Sequence, residues 1–252
     1  MPYSSSSSPG SAVYQFGPGP ITPAVKALLY ANVGMFVLTW IAPGLVPLLG
    51  LQPVAVVLGL RLWQPVTYMF IHAGLEHILF NMLALWMFGV ELERLWGRRF
   101  FYRYYFLTGV GAAATTILLG LLPGQLGATM WYSVTVGASG AIYGLLAAYA
   151  LYFPNRPIYI WFLFPIPSKV FVLIMGAIAF MSSVSGNQGG IANSAHLGGL
   201  VIGYLYLKNM GGRGGPGLDE IKYRYAKWRM NRLRRRFDVH AGGRHDWNGR
   251  VH

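Results

Sequence analysis

The chain has 252 residues, of which 54% are hydrophobic and only 11% are charged. A soluble domain carries roughly 25% charged residues, so the composition excludes an ordinary soluble protein and predicts an integral membrane protein. The sequence contains no cysteine, which excludes disulfide bonds, thiol catalysis and cysteine-ligated metal sites.

The formal net charge is +13, and eleven of the twenty basic residues follow the last apolar stretch. Such a basic tail fits two interpretations, a surface for nucleic acid or an anchor on anionic lipid headgroups. A basic segment directly after a span is expected from the positive-inside rule alone. We therefore expect a lipid anchor and no nucleic-acid partner.

Residues 1–23 are rich in serine, glycine and proline and are predicted to form a disordered cytoplasmic leader. The first apolar stretch, 24–41, is long enough to be a span. Residues 45–75 are apolar but interrupted by prolines and glycines. Trp63 and Tyr68 lie where aromatic rings favour the interface, so this stretch is predicted to be a long interfacial loop.

Five further apolar stretches predict spans over residues 76–96, 100–122, 139–153, 168–182 and 191–207. Between them lie an uncharged connector at 121–136, a proline-bounded connector at 154–167 and a short polar loop at 183–190. The expected fold is an all-α integral membrane protein, a six-transmembrane-helix bundle with a long interfacial first loop. The expected domain therefore covers residues 24–208, and a basic cytoplasmic tail covers 209–252.

The basic residues of the connectors predict the orientation of the bundle. The second and fourth connectors and their flanks hold Arg94, Arg98, Arg99, Arg103, Arg156 and Lys169. The third and fifth connectors hold no lysine or arginine. By the positive-inside rule both termini are expected to be cytoplasmic, in a multi-pass protein of the cell's inner membrane.

Few polar groups remain inside the predicted spans, and such groups are costly in hydrocarbon, so each is a candidate for function. They are His77 and Asn81 in span two, Ser139 in span four and His196 in span six. His77, Ser139 and His196 each lie near the start of a span, and the three spans run in the same direction. We therefore expect these residues to meet at one depth, in a site that opens to the outer side.

The chemistry of this set predicts a serine hydrolase. His196 would accept the proton of Ser139, and the serine oxygen would attack a carbonyl carbon. Expected donors to the oxyanion are His77, Asn81 and backbone N–H groups at the start of span four. The nearest carboxylates, Glu76, Glu91 and Glu93, all belong to span two, so a Ser–His dyad without an acidic third member is expected.

Small residues around the two candidates predict close helix packing. Gly140, Gly144 and Ala148 recur every four residues on span four, and Ala195, Gly199 and Gly203 do so on span six. Such stripes allow two helices to pack backbone to backbone. Tyr143, one turn after Ser139, is expected to pack against the imidazole.

Three motifs, G-A-S-G-A-I-Y-G, H-I-L-F-N and A-H-L-G-G-L-V-I-G, together resemble the rhomboid intramembrane serine proteases. The resemblance covers roughly residues 20–208. It implies Ser139 as nucleophile, His196 as base, His77 and Asn81 as oxyanion donors, and Tyr143 as the ring behind the imidazole. Gly137 and Ala138, directly before the serine, are expected to support the site.

The resemblance further implies cleavage of single-span membrane proteins within the lipid bilayer, without a cofactor or metal. One departure concerns the first loop, where Trp63-Gln64 replaces the family's usual Trp-Arg pair and puts the anchoring of that loop in doubt. The sequence does not indicate an oligomeric state.

Three alternatives stay open at this point. One is an intramembrane zinc protease that uses His72, His77 and His196 with Glu76 as base, although the chain lacks H-E-x-x-H. Another is a non-catalytic scaffold that binds transmembrane helices. The last is a transporter, for which the inverted repeats and midplane charges of that class are missing.

Overall fold

The computed structural model describes residues 17–160, 164–184 and 190–210, and five tail residues between 223 and 230. The predicted leader up to residue 16 and the residues 185–189 of the predicted fifth connector lie outside the described residues. So does the basic tail, apart from those five positions.

Six long helical segments form the described part of the chain, with shorter elements between them. The α-helices are α1 Pro23–Ile41, α2 Leu45–Leu49, α3 Pro53–Val57, α4 Gln64–Thr67, α5 Leu75–Ala84, α6 Val90–Trp96, α7 Arg98–Gly120, α8 Gln125–Tyr132, α9 Ser139–Tyr152, α10 Ser168–Val184 and α11 Gly190–Met210. A 3-10 turn, Tyr68–Phe70, follows α4, and a π-helical turn, Leu85–Gly89, joins α5 to α6. Each predicted span therefore coincides with a long helical segment.

Helix α9 is the centre of the bundle, and every residue from Gly140 to Tyr149 is buried. Gly144 of α9 packs on Thr108 of α7, while Tyr149 packs edge to face on Phe88, with ring centroids 5.0 Å apart. Because α9 is enclosed by its neighbours, small residues on it decide how closely they approach.

Two of the helical segments, Pro23–Ile41 and Leu75–Trp96, are long and apolar enough to cross a bilayer. Ser139–Tyr152 and Ser168–Ser183 are shorter apolar helices. Large apolar side chains face outward on α1 and α10, as a lipid environment requires; Trp40 and Leu173 are 81% and 73% exposed. Length and composition thus support two of the six predicted spans, and the other four stay a prediction.

The connectors contain more regular structure than expected. In the fourth, strands β1 Pro157–Ile160 and β2 Phe164–Pro167 pair antiparallel, with Pro157 opposite Pro167. Apart from this hairpin and one isolated bridge, the regular structure of the described residues is helical, which agrees with the predicted all-α class. The third connector contains α8, and the first loop contains α2, α3 and α4. Prolines at the first or second helical position favour two of these helices, since the missing N–H is not needed there.

A buried carboxylate fixes the first helix to the second span. Glu93, only 4% exposed, accepts hydrogen bonds of 2.9 Å from the backbone N–H groups of Ala24 and Val25. These are two of the N-terminal donors of α1 that have no partner within the helix. A negative charge is also favourable beside the positive end of a helix dipole, so Glu93 caps α1.

The first loop is anchored by Gln64, whose side chain is fully buried. Its Oε1 accepts a hydrogen bond of 3.0 Å from the Gln52 N–H. Its Nε2 lies 3.3 Å from the Leu48 carbonyl oxygen and 3.4 Å from that of Pro47. The amide therefore bridges both arms of the loop, and the doubt raised by the missing arginine is resolved in favour of an anchored loop.

Candidate active site

The side chains of Ser139 and His196 touch across two parallel helices. Ser139 is the first residue of α9, and His196 lies in the second turn of α11. The Ser139 Oγ lies 2.7 Å from His196 Nε2, within hydrogen-bond distance. An alcohol and an imidazole at this separation can exchange a proton, which is the requirement for an activated serine nucleophile.

Glycines bring the two helices close enough for this contact. A Cβ added to Gly199 of α11 would lie 1.9 Å from the Gly140 carbonyl oxygen of α9. One turn further, a Cβ on Gly203 would lie 3.0 Å from the Gly144 Cα and 2.5 Å from the Tyr104 hydroxyl. The expected packing of the two small-residue stripes is therefore present.

The imidazole is held flat against an aromatic ring. The rings of Tyr143 and His196 are stacked with centroids 4.3 Å apart and planes 5° from parallel. Tyr143 lies one turn after Ser139 on α9. The predicted contact between its ring and the imidazole is therefore present. Stacking of this kind restricts the imidazole to one plane.

A further partner of the imidazole was missed by the sequence analysis. The Asn193 Oδ1 lies 3.2 Å from His196 Nδ1 on the same helix. The signal was present, because residues three apart share a helix face.

Gly137 leads into α9 with φ +123°, a conformation that favours glycine. A Cβ at this position would lie 2.7 Å from His77 Nε2 and 3.5 Å from Ser139 Oγ. The ring of His77 and the serine hydroxyl therefore face the same small space beside Gly137. Only a residue without a side chain leaves that space open.

Backbone donors are also available at the start of α9. Ala138 is fully buried and precedes the helix, and its carbonyl oxygen accepts the first intrahelical hydrogen bond, 3.1 Å from the Ile142 N–H. The N–H groups of Ser139, Gly140 and Ala141 lie before that bond and are not used by the helix itself. Gly137 donates its own N–H to the Tyr68 carbonyl oxygen at 2.9 Å, which fixes the connector to the first loop.

Asn81 is buried on α5, one turn after His77. Its Nδ2 donates to the His77 carbonyl oxygen at 2.7 Å, and its Oδ1 has no partner. One of the two amide hydrogens is therefore used within the helix. The second amide hydrogen is not needed for that bond and can be donated to another acceptor.

His72 lies behind His77, with ring centroids 5.1 Å apart in an edge-to-face arrangement. Its ring is 4% exposed, and burial, reinforced by the charge of nearby His77, lowers its pKa to about 4. The group is therefore neutral at pH 7. Among the described residues, no three His, Cys, Asp or Glu side chains converge as metal ligands.

Two of the three carboxylates of the second span have partners in other helices or connectors. Glu93 caps α1, as described above. Glu91 accepts hydrogen bonds from Arg156 and, at 3.3 Å, from the Tyr149 hydroxyl. Glu76 lies exposed in the first turn of α5, where a negative charge is favourable. Glu93 and Glu91 thus each have a partner other than the imidazole.

The sequence is similar to a known protein family. The family model for the Rhomboid domain matches residues 59–212, which is more than half of the chain. The chain is 33% identical over 144 residues to Rhomboid protein 1, mitochondrial, of Saccharomyces cerevisiae, covering 54% of this chain and 38% of that protein. It is 32% identical over 151 residues to Rhomboid protease GluP of Bacillus subtilis, covering 59% of this chain and 26% of that protein.

A similar relation holds for Rhomboid protease AarA of Providencia stuartii, with 30% identity over 157 residues, covering 57% of this chain and 54% of that protein. The chain thus spans between about a quarter and about half of the length of these relatives. Since the matched region holds Ser139, His196 and their surroundings, this chain belongs to the rhomboid family of membrane proteins, which includes proteases.

Proposed function

We propose that this chain is an intramembrane serine endopeptidase that cleaves transmembrane segments of single-span membrane proteins with a Ser139–His196 dyad. The observation that carries the proposal is the 2.7 Å contact between Ser139 Oγ and His196 Nε2. Family membership supports it, because relatives with this domain are named proteases.

The reaction begins when the Ser139 oxygen attacks the carbonyl carbon of the scissile peptide bond while its proton passes to His196 Nε2. The carbonyl oxygen becomes an oxyanion, which His77 and Asn81 of α5 and the first N–H groups of α9 stabilise. Collapse of this intermediate breaks the C–N bond, and the imidazolium returns the proton to the leaving amine. Water then hydrolyses the acyl-enzyme by the same steps in reverse order.

The surroundings of the serine favour hydrolysis within a membrane. Helix α9 has 14 residues and covers about 21 Å at 1.5 Å per residue, less than the roughly 30 Å hydrocarbon core. If its last turn lies at the cytoplasmic interface, Ser139 lies below the outer surface. The irregular residues before it can then line a water-filled cavity, where exposed backbone is tolerated at that depth.

We further propose the membrane arrangement that the charges indicate. Six helical segments of alternating direction would span the inner membrane with both termini in the cytoplasm. The exposed basic residues Arg98, Arg99 and Arg103 begin α7 at the end of the bundle that also holds the N-terminus of α1. This clustering of basic residues is typical of the cytoplasmic side.

The test is cleavage of a model single-span membrane protein by the purified full chain in lipid vesicles. Ser139→Ala and His196→Ala should each abolish cleavage while the melting temperature stays close to that of the unchanged chain. Ser133→Ala is the matched control, because the Ser133 hydroxyl donates at 2.6 Å to Thr129 on α8, away from the imidazole. Full cleavage by either dyad variant would refute the proposal, and a folded wild type that binds the substrate without cutting it would favour a scaffold.

A further inference from the structure

Asn193 is the side chain that meets the outer nitrogen of the candidate base. It lies three residues before His196 on α11, and its Oδ1 is 3.2 Å from His196 Nδ1. We propose that Asn193 is a positioning residue, which accepts the Nδ1 hydrogen and so keeps the lone pair of Nε2 directed at Ser139. This inference rests on the proposed function, since it concerns the base of the same reaction.

The donor and acceptor roles follow from the atoms in contact. An amide oxygen can only accept a hydrogen bond, so a bond between Oδ1 and Nδ1 requires the hydrogen to be on Nδ1. A neutral imidazole carries only one such hydrogen, and Nε2 is then an acceptor. That nitrogen is the one 2.7 Å from the Ser139 hydroxyl, which must donate its proton for attack.

The contact with Tyr143 does not determine which nitrogen of the imidazole faces Ser139. Stacking on Tyr143 defines the plane of the imidazole, but an imidazole turned over by 180° would stack equally well. In the turned ring, Nδ1 and Nε2 would no longer face Asn193 and Ser139. A hydrogen-bond acceptor at one edge of the ring distinguishes the two orientations, and Asn193 supplies it.

An amide also suits the charge environment of this site. The imidazolium formed during attack faces Tyr143 and Ser139 on α9, and the His77 ring of α5 faces the same small space beside Gly137 as the serine hydroxyl. The other helices packed on α11 bring no nearby charge, because α7 and α10 carry their Lys and Arg residues in their first two turns, at the opposite end of the bundle. An amide oxygen stabilises the cation without placing a formal charge in a low-dielectric interior.

The experiment compares the full chain with Asn193→Leu and Asn193→Asp in lipid vesicles. Leucine has a similar volume but no acceptor, whereas aspartate keeps an acceptor and adds a negative charge. Asn209→Leu is the matched control, because Asn209 is an exposed asparagine near the other end of α11. Two quantities are measured: the protonated nitrogen of His196, by ¹⁵N NMR with His196→Ala for assignment, and the pH dependence of kcat on the model substrate.

We expect the unchanged chain to carry the hydrogen on Nδ1 of His196. Asn193→Leu should lower kcat about tenfold or more with little change in KM, because a hydrogen bond to a charged group is lost in the transition state. It should also move the acid limb of the kcat profile to lower pH. Asn193→Asp should move that limb to higher pH, because a carboxylate favours the protonated imidazole, and Asn209→Leu should change neither quantity.

Finding the hydrogen on Nε2 in the unchanged chain would overturn the inference, as would identical acid limbs in both Asn193 variants. If Asn193→Leu fails to fold, the ¹⁵N NMR of the unchanged chain and the kcat profile of Asn193→Asp still test the positioning role. The experiments distinguish failure of the positioning role from failure of the proposed protease activity. An inactive Ser139→Ala with unaltered Asn193 variants removes only the positioning role, whereas an active Ser139→Ala removes the proposed function.

Discussion

Gly199 of α11 packs directly on the backbone of Gly140 in α9, one residue after the serine. A Cβ at position 199 would lie 1.9 Å from the Gly140 carbonyl oxygen, far inside any real atomic contact. The distance between the two helices at this level is therefore set by the absence of a side chain. The same level holds the contact between Ser139 and His196.

The glycine contact predicts that Gly199→Ala is already disruptive and that Gly199→Leu is more so. The added atoms must push α11 away from α9, which separates the serine from the imidazole. Overpacking of this kind costs about 1–3 kcal/mol, so the melting temperature and the cleavage rate should fall together. Both are measured on purified protein in lipid vesicles.

Gly176→Ala is the control for this prediction. A Cβ there would meet Leu200 Cδ1 at 3.5 Å, an ordinary contact, so neither quantity should change appreciably. A Gly199→Leu variant with unchanged melting temperature would count against the close packing of α9 and α11.

Gln64 gives a second prediction. Gln64→Ala removes a buried amide and leaves the Gln52 N–H without its acceptor, which costs about 1–3 kcal/mol. The amide hydrogen of Gln52 should then exchange with solvent faster, and the melting temperature should fall. Gln125→Ala, at an exposed position in the first turn of α8, is the matched control and should affect neither. Unaltered exchange at Gln52 would show that the loop is anchored elsewhere.

The sequence predicted the long helices and the meeting of Ser139 with His196, because both depend on strong local patterns. Uninterrupted apolar stretches predict the long helices, and small residues at four-residue spacing predict how closely two of them pack. The β-hairpin was not predicted, since a short apolar stretch bounded by prolines has no periodicity that separates strand from loop.

The roles of Glu93 and Gln64 could not be predicted for a different reason. Glu93 binds residues 68 and 69 positions earlier in the chain, and Gln64 joins backbone groups on both arms of a loop. Such contacts depend on how distant segments lie in space. The absence of the family's arginine at position 64 had put the anchoring of the first loop in doubt. The neutral amide of Gln64 anchors the loop through its hydrogen bonds to the backbone.

His72 gives a prediction on pH. Its pKa is lowered to about 4 in the folded chain by burial and by His77, whereas an unfolded histidine titrates near its ordinary value of about 6.5. Between these values the unfolded state binds more protons, so stability is full above about pH 6.5 and is lost as pH falls towards 4. His72→Leu should therefore flatten the decline of melting temperature in this range. An equally steep decline in the variant would assign the acid sensitivity to other groups.

The most direct measurement for the central claim is covalent labelling of the full chain with a fluorophosphonate, followed by mass spectrometry of the modified peptide. Only a serine activated by a neighbouring base reacts readily with such a reagent. The account predicts one adduct, on Ser139, whose formation slows by at least about a hundredfold in His196→Ala and is unchanged in Ser133→Ala. An adduct on another residue, or labelling of Ser139 at the same rate without His196, would contradict it.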